Sequence, residues 1–354
     1  SLQDIVGGEP LFTNITNQAG TGGPTSPYTG GHGVLFADVN ADRLPDLYIP
    51  MIFRQPNAEL FFRNTDARQF IEDGKLRGIA DFDGGSHGAC FADLDNDGDF
   101  DLFNGTTWDH PRHPAHNNLF RNDGTGHFTE LSSQTGIPRE RRWPTRGVLT
   151  FDMDQDGDLD LFCVTNYLGS EDPPAERNEI YRNNSNWTFS SITDGPLATA
   201  PCGQGAIDTD FDGDGDIDLV TAAIQDRRMQ VFLNNGQGAY GARALYTTGV
   251  RPFMVEVGEL TGDEFPEIAS ANETAGTVTV YLNSGTGNGR FGGRREYRVG
   301  RLPVGVAMGD LDGDGDEDVI SANRGSRDPV SYTHLRAHET EADLVCRLLR
   351  GKKG

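Results

Sequence analysis

Short apolar runs recur along this chain between Asp-rich and Asn/Gly-rich turns, and no stretch sustains a helical period. Six segments align on an acidic turn. They begin at Asp38 (DVNADRLPDLY), Asp93 (DLDNDGDFDLF), Asp152 (DMDQDGDLDLF), Asp210 (DFDGDGDIDLV), Glu259 (ELTGDEFPEI) and Asp310 (DLDGDGDEDVI). Successive turns stand 55, 59, 58, 49 and 51 residues apart, room for about four short strands each. A small apolar run precedes the turn (GVLFAD, GACFAD, GVLTFD, GVAMGD) and a β-rich run follows it (DLYIP, DLFNG, DLFCVTN, DLVTAA, DVISAN). A third strand is expected in ELFFRN, NLFRND, EIYRNN, QVFLNN and TVYLNS, each ending in Asn-containing turn residues. A fourth is expected around Phe70, Phe128, Phe189, Tyr240 and Phe291. The pattern predicts an all-β chain: a β-propeller of four-stranded blades, six units visible, spanning residues 1–330.

Both ends bear on that expectation. LFTNIT, residues 11–16, reads as the fourth strand of a unit whose first three are absent, as ring closure of a propeller would need. From residue 331, SYTHLRAHETEADLVCRLLRGKKG shows no Asp turn and no strand signal, and it holds two of the chain's three lysines. The string SYTHLRAHET resembles a translated sequencing-adapter read. Residues 331–354 are therefore expected to be foreign to the fold, unstructured or helical, and the sixth unit to be cut after its second strand.

The turns themselves carry the chemistry. In the second, Asp93, Asp95 and Asp97 alternate, Gly98 permits a sharp bend, and Asp101 closes the turn. Calcium takes about six to eight oxygen ligands, which positions 1, 3, 5 and 9 can supply as side chains and position 7 as a backbone carbonyl. Without an ion, so many carboxylates within nine residues would repel one another. The expected ligand sets are Asp93, Asp95, Asp97, Asp99 and Asp101; Asp152, Asp154, Asp156, Asp158 and Asp160; Asp210, Asp212, Asp214, Asp216 and Asp218; and Asp310, Asp312, Asp314, Asp316 and Asp318. The first turn adds Asp38, Asn40, Asp42, Leu44 and Asp46, with Arg43 where glycine is preferred. A sixth set, Glu259, Thr261, Asp263 and Glu267, is degenerate, so about five calcium sites are expected beside it. An EF-hand begins similarly but needs a Glu at position 12 between two helices; here Ile49, Asn104, Cys163, Thr221 and Ser321 stand there, between strands.

Charge and composition narrow the class. With 54 acidic against 30 basic residues the net charge is −24, which excludes a nucleic-acid partner. No apolar run approaches the length of a membrane span, so no membrane insertion is expected. Cys90, Cys163, Cys202 and Cys346 are too few and too irregular for a disulfide framework.

Acidic loops of DxDxDGxxD type between short strands, with NxLYRNxGxGxF-like segments between them, resemble the FG-GAP/VCBS repeat propellers. That family includes the integrin α head, and the FTNITNQAG opening is similar to the FTDVTxxAG of bacterial proteins related to cartilage acidic protein. The resemblance implies a propeller, usually of seven blades, with structural calcium in the loops and a role in adhesion or in glycan or protein recognition. It identifies no ligand-binding residues.

For a ligand site the residues themselves offer one placement. His32, His87, Arg146 and Gln204 each stand six residues before their loop's first acid and each is followed by glycine. If that strand is innermost in its blade, these side chains gather at the channel mouth opposite the calcium loops. No GxSxG, HExxH or phosphate-loop motif occurs, and the abundant carboxylates sit in expected cages, so a catalytic site is not expected. The expected protein is a secreted, cell-surface or periplasmic calcium-binding module whose partner is a glycan or an extracellular protein. The alternative is a polysaccharide-active lyase or hydrolase using His110, His116 or Arg146.

Overall fold

The computed structural model describes residues 16–19, 21, 33–51, 60–66, 69–79, 85–106, 116–138, 144–165, 178–192, 195–198, 200, 203–310, 317–325 and 330–333. The architecture is all-β. Helix among the described residues is limited to single turns at Thr16–Ala19, Gly74–Arg77, Ser132–Gln134 and Gly195–Ala198, and no helix is long and apolar enough to cross a membrane.

The chain divides into two compact units, residues 14–201 and residues 1–13 with 202–354. The first holds three antiparallel sheets, each built in chain order: β1 (Leu35–Ala37) to β4 (Phe70–Glu72) through β2 (Asp46–Ile49) and β3 (Leu60–Asn64); β5 (Ser86–Ala92), β6 (Asp101–Thr106), β7 (Asn118–Asn122) and β8 (Phe128–Glu130); and β9 (Thr145–Phe151), β10 (Asp160–Thr165), β11 (Glu179–Asn183) and β12 (Phe189–Ile192). The second holds β13 (Gly203–Thr209), β14 (Asp218–Ala223), β15 (Arg228–Phe232) and β16 (Ala244–Thr247); β17 (Pro252–Gly258), β18 (Glu267–Asn272), β19 (Thr277–Asn283) and β20 (Phe291–Arg298); and a three-stranded sheet of β21 (Pro303–Gly309), β22 (Asp318–Asn323) and β23 (Val330–Thr333). Each sheet is a propeller blade, strands following one another as a meander, and the acidic turn joins its first strand to its second.

The second strands β6, β10, β14 and β18 are buried along their whole length. Cores form between consecutive blades of a unit. Leu94, Phe103 and Leu119 of the second blade meet Leu161, Tyr181 and Phe189 of the third, and Phe211, Val220 and Val231 of the fourth meet Val255, Ile268 and Tyr281 of the fifth.

Three local expectations change. Tyr240 is not in the fourth strand, which starts at Ala244: it follows the NNGQG turn, and the tight glycine turn is longer here than in the other units. Thr16 opens a helical turn rather than ending a strand, while residues 11–15 lie outside the described residues. At the C-terminal end β23 pairs with β22 in the register Val319↔Thr333 and Ile320↔Tyr332, three residues past the boundary drawn at 330. β22 is thereby paired on both sides, by β21 and by β23. Residues 334–354 lie outside the described residues.

Candidate metal centres

The acidic turns are held by their own carboxylates. In the second loop Asp93 accepts from the Asp97 and Gly98 amides at 3.1 and 3.0 Å, and Asp97 from the Asp99 amide at 3.1 Å. Asp101 accepts from the Leu94 amide at 3.1 Å and from the Asn122 amide at the end of β7 at 2.9 Å, tying the loop to its own blade. The third loop repeats this through Asp152, Asp156 and Asp160. The sixth loop position is left-handed, with φ of 94°, 93° and 91° at Gly98, Gly157 and Gly215, so glycine there avoids a steric cost. The first and fifth loops adopt the same bend without it, at Arg43 (φ 69°) and Glu264 (φ 71°).

These bonds leave oxygens over. One oxygen from each of Asp93, Asp95 and Asp101 lies within 4.8 Å of the other two, and the same holds for Asp152, Asp154 and Asp160, for Asp210, Asp212 and Asp218, and for Glu259, Asp263 and Glu267. Four acidic groups can therefore hold a metal ion. At the third position of three loops, Asp95 Oδ1, Asp154 Oδ1 and Asp212 Oδ1 are buried with no hydrogen-bond partner, as is Glu259 Oε2 in the fifth. The Asp95 side chain is only 8% exposed. A buried carboxylate oxygen without a donor is costly, and an all-oxygen trio of this kind fits a hard divalent cation.

Burial shows in the protonation of the ninth-position acids. It pushes Asp101, Asp218 and Glu267 up to about 7 and Asp46 and Asp160 up to about 6, against the pull of the backbone amides they accept from. A bound cation would hold these groups ionised.

The expected ligand sets are only partly gathered. Positions 1, 3 and 9 converge, whereas Asp97, Asp156 and Asp214 at position 5 stand outside the trios and cap the position-7 amide. In the fifth loop Asp263 joins instead, because Thr261 occupies position 3 and lends its hydroxyl to Glu259. The first loop keeps the backbone pattern through Asp38 and Asp42, but with Asn40 at position 3 no trio of carboxylates forms among Asp38, Asp42 and Asp46. Leu44 lies on the same bend. In the last loop Asp310 and Asp318 are described, and Asp312, Asp314 and Asp316 lie outside the described residues.

Two sets of residues escaped the sequence reading. The asparagines ending the third strands were read as turn formers, and Asn122, Asn183 and Asn283 do accept from the Gly126, Ser185 and Gly285 amides of their turns; these three also donate across a blade boundary. Asn122 Nδ2 reaches Phe100 O at 3.1 Å in its own loop and Val39 O at 2.7 Å in the preceding one. Asn183 does the same to Leu159 O and Leu94 O, and Asn283 to Pro266 O and Phe211 O. The signal was present as the recurring Asn one loop apart. Preceding arginines lie against the position-3 acids: Arg121 meets Asp95 at 2.6 Å and Arg182 meets Asp154 at 3.0 Å, while Trp187 of the third blade donates its indole N–H to Asp95 at 2.6 Å.

A family model of FG-GAP-like repeats matches residues 107–163, 210–270 and 259–321, each stretch containing at least one of these loops. The chain carries FG-GAP-like repeats. It is 26% identical over 221 residues to cartilage acidic protein 1 of Homo sapiens, across 61% of this chain and 31% of that protein. The chain thus spans about a third of the length of the curated relatives it matches. Among solved structures, a biofilm matrix protein of V. cholerae is 16% identical with a TM-score of 0.44, over 76% of this chain and 40% of that one. A luciferin-regenerating enzyme is 10% identical with a TM-score of 0.47, over 84% of each chain.

In the second, third and fourth blades the position six residues before the loop falls at a β-bulge. Pairing of β5 with β6 passes from Ser86↔Thr106 to Gly88↔Gly105 and skips His87; pairing of β9 with β10 skips Arg146, and that of β13 with β14 skips Gln204. His87 Nδ1 donates to Arg146 O at 2.9 Å, so the structure brings these two together. Gln204 lies buried in the other unit, and His32 lies outside the described residues.

Proposed function

We propose that this chain is a secreted calcium-binding β-propeller that acts as a binding or adhesion module for a glycan or protein, the calcium being structural. The observation that carries this reading is the set of buried, partnerless oxygens of Asp95, Asp154 and Asp212 at equivalent places in three loops. Every donor in those trios is a carboxylate oxygen, the preference of calcium rather than of zinc or copper. Sites of modest affinity fill where calcium is plentiful, outside the cell, in keeping with relatives named for cartilage. The loop carboxylates are committed to amides and to the ion, which favours a binding module over an enzyme.

The test is calcium stoichiometry by elemental analysis, with thermal melts in calcium and in chelator. At least three ions per chain and a melting point lowered by chelator are expected. Fewer than two ions with an unchanged melt would overturn the metal assignment. Incubation with a polysaccharide panel separates retention from cleavage: depolymerisation would replace the binding module with an enzyme.

A further inference from the structure

The bulge that carries Arg146 places an unusual charge. Arg63, Arg77, Arg121 and Arg182 in the same unit each face an aspartate. Arg146 faces none among the described residues, although the chain carries 24 more negative than positive charges, and its Nε is buried without a hydrogen-bond partner. Burial pushes the guanidinium below its ordinary value, with no acid opposing the shift. An arginine desolvated without a counter-charge is costly, and bulges commonly re-aim a side chain beside a site.

Its surroundings are built and polar. The strands crowd at this end, since a Cβ on Gly88 would meet Gly147 Cα at 2.8 Å and Arg146 O at 2.9 Å. A carbonyl can only accept, so His87 Nδ1 carries the proton in its bond to Arg146 O and pins the two bulges together. Beneath them Asn104 donates to Ser86 Oγ at 2.6 Å and Thr145 to Asn117 Oδ1 at 3.0 Å, all four residues buried. Among the described residues these groups bond one another, and none of those bonds involves the guanidinium.

We propose that the bulged ends of β5 and β9 form an anion site, in which Arg146 receives the carboxylate of an acidic sugar or of another small ligand, held in place by His87. The proposal rests on the binding-module reading and names the chemistry of its ligand. Arginine suits this task because its planar fork takes both oxygens of a carboxylate at once.

The experiment is titration calorimetry on the calcium-saturated full chain with glucuronate, acetate and glucose, on the natural sequence and on Arg146→Gln and Arg146→Lys. Glucuronate should bind and glucose should not; Arg146→Gln should weaken glucuronate by about tenfold or more and Arg146→Lys by less. Acetate binding as well as glucuronate assigns a free carboxylate, and glucuronate binding better assigns a sugar acid; both support the anion site. Removing a guanidinium that has no partner among the described residues should leave the ligand-free melting point equal or higher. Retention of glucuronate by Arg146→Gln would overturn the site. So would failure of both carboxylates to bind the natural sequence, or a lowered ligand-free melt in Arg146→Gln. None of these outcomes touches the calcium stoichiometry or the polysaccharide panel, so the broader reading stands or falls separately.

Discussion

Asp95 shows what one side chain does in these loops. Its Oδ2 takes the Trp187 indole and Arg121, and its Oδ1 is left buried and unsatisfied, so an ion has a reason to enter. Asp95→Asn should lower the calcium count by one and remove the repulsion that the cation-free loop suffers. Elemental analysis of the variant checks this, and an unchanged count sinks it. Trp187 reports the same event, because its N–H is bonded to a ligand residue. Its emission should shift on calcium addition, and the shift should vanish in Trp187→Phe. At Arg43 the backbone already pays a steric cost, with φ at 69° where the loops of β5 and β9 use glycine. Arg43→Gly should stabilise the chain by about 1 kcal/mol in chemical denaturation, the usual cost of a left-handed non-glycine residue less the entropy glycine loses. A destabilised variant would mean that the arginine makes a contact worth more than the strain.

Between residues and the whole lies the blade, and what joins one blade to the next was only half legible in the chain. The acidic loops, their period and the strand on each side were readable because aspartates at alternate positions are rare in any other setting. The asparagine clamps were visible as letters but not as a function: Asn122 and Asn183 end their strands like any turn residue, and only the fold brings Val39 O and Leu94 O to them. The bulges at His87 and Arg146 could not be read, since a bulge is a property of pairing between two strands and not of either alone. The clamp makes its own prediction. Asn183→Ala leaves a buried and a half-buried carbonyl unsatisfied and should cost about 2–4 kcal/mol, whereas Asn184→Ala, on the exposed turn beside it, should cost less than about 0.5 kcal/mol. Equal effects in urea denaturation would show that the bonds across the blade boundary add nothing to the turn bond that Asn183 also makes.

At the scale of the whole molecule the loops hold 28 of the 54 acidic residues, so its stability should follow both pH and calcium. The ninth-position acids Asp101, Asp218 and Glu267 have folded values of about 7, above those of an unfolded chain, because burial disfavours their charge. Between about pH 4 and 7 the cation-free folded chain thus binds more protons than the unfolded one, and its stability falls as pH rises through that window. Calcium reverses the balance, since it binds the ionised acids and protons compete with it. The gain in melting point on adding calcium should therefore be largest near pH 8 and shrink as pH falls through 7 toward 5, while in chelator the protein should melt higher at pH 5.5 than at pH 8. Asp101→Asn should weaken the dependence in both series, because it removes one of the groups that exchanges a proton for the ion. Melts that respond equally to calcium at both pH values would mean that these buried acids are not what the cation displaces protons from.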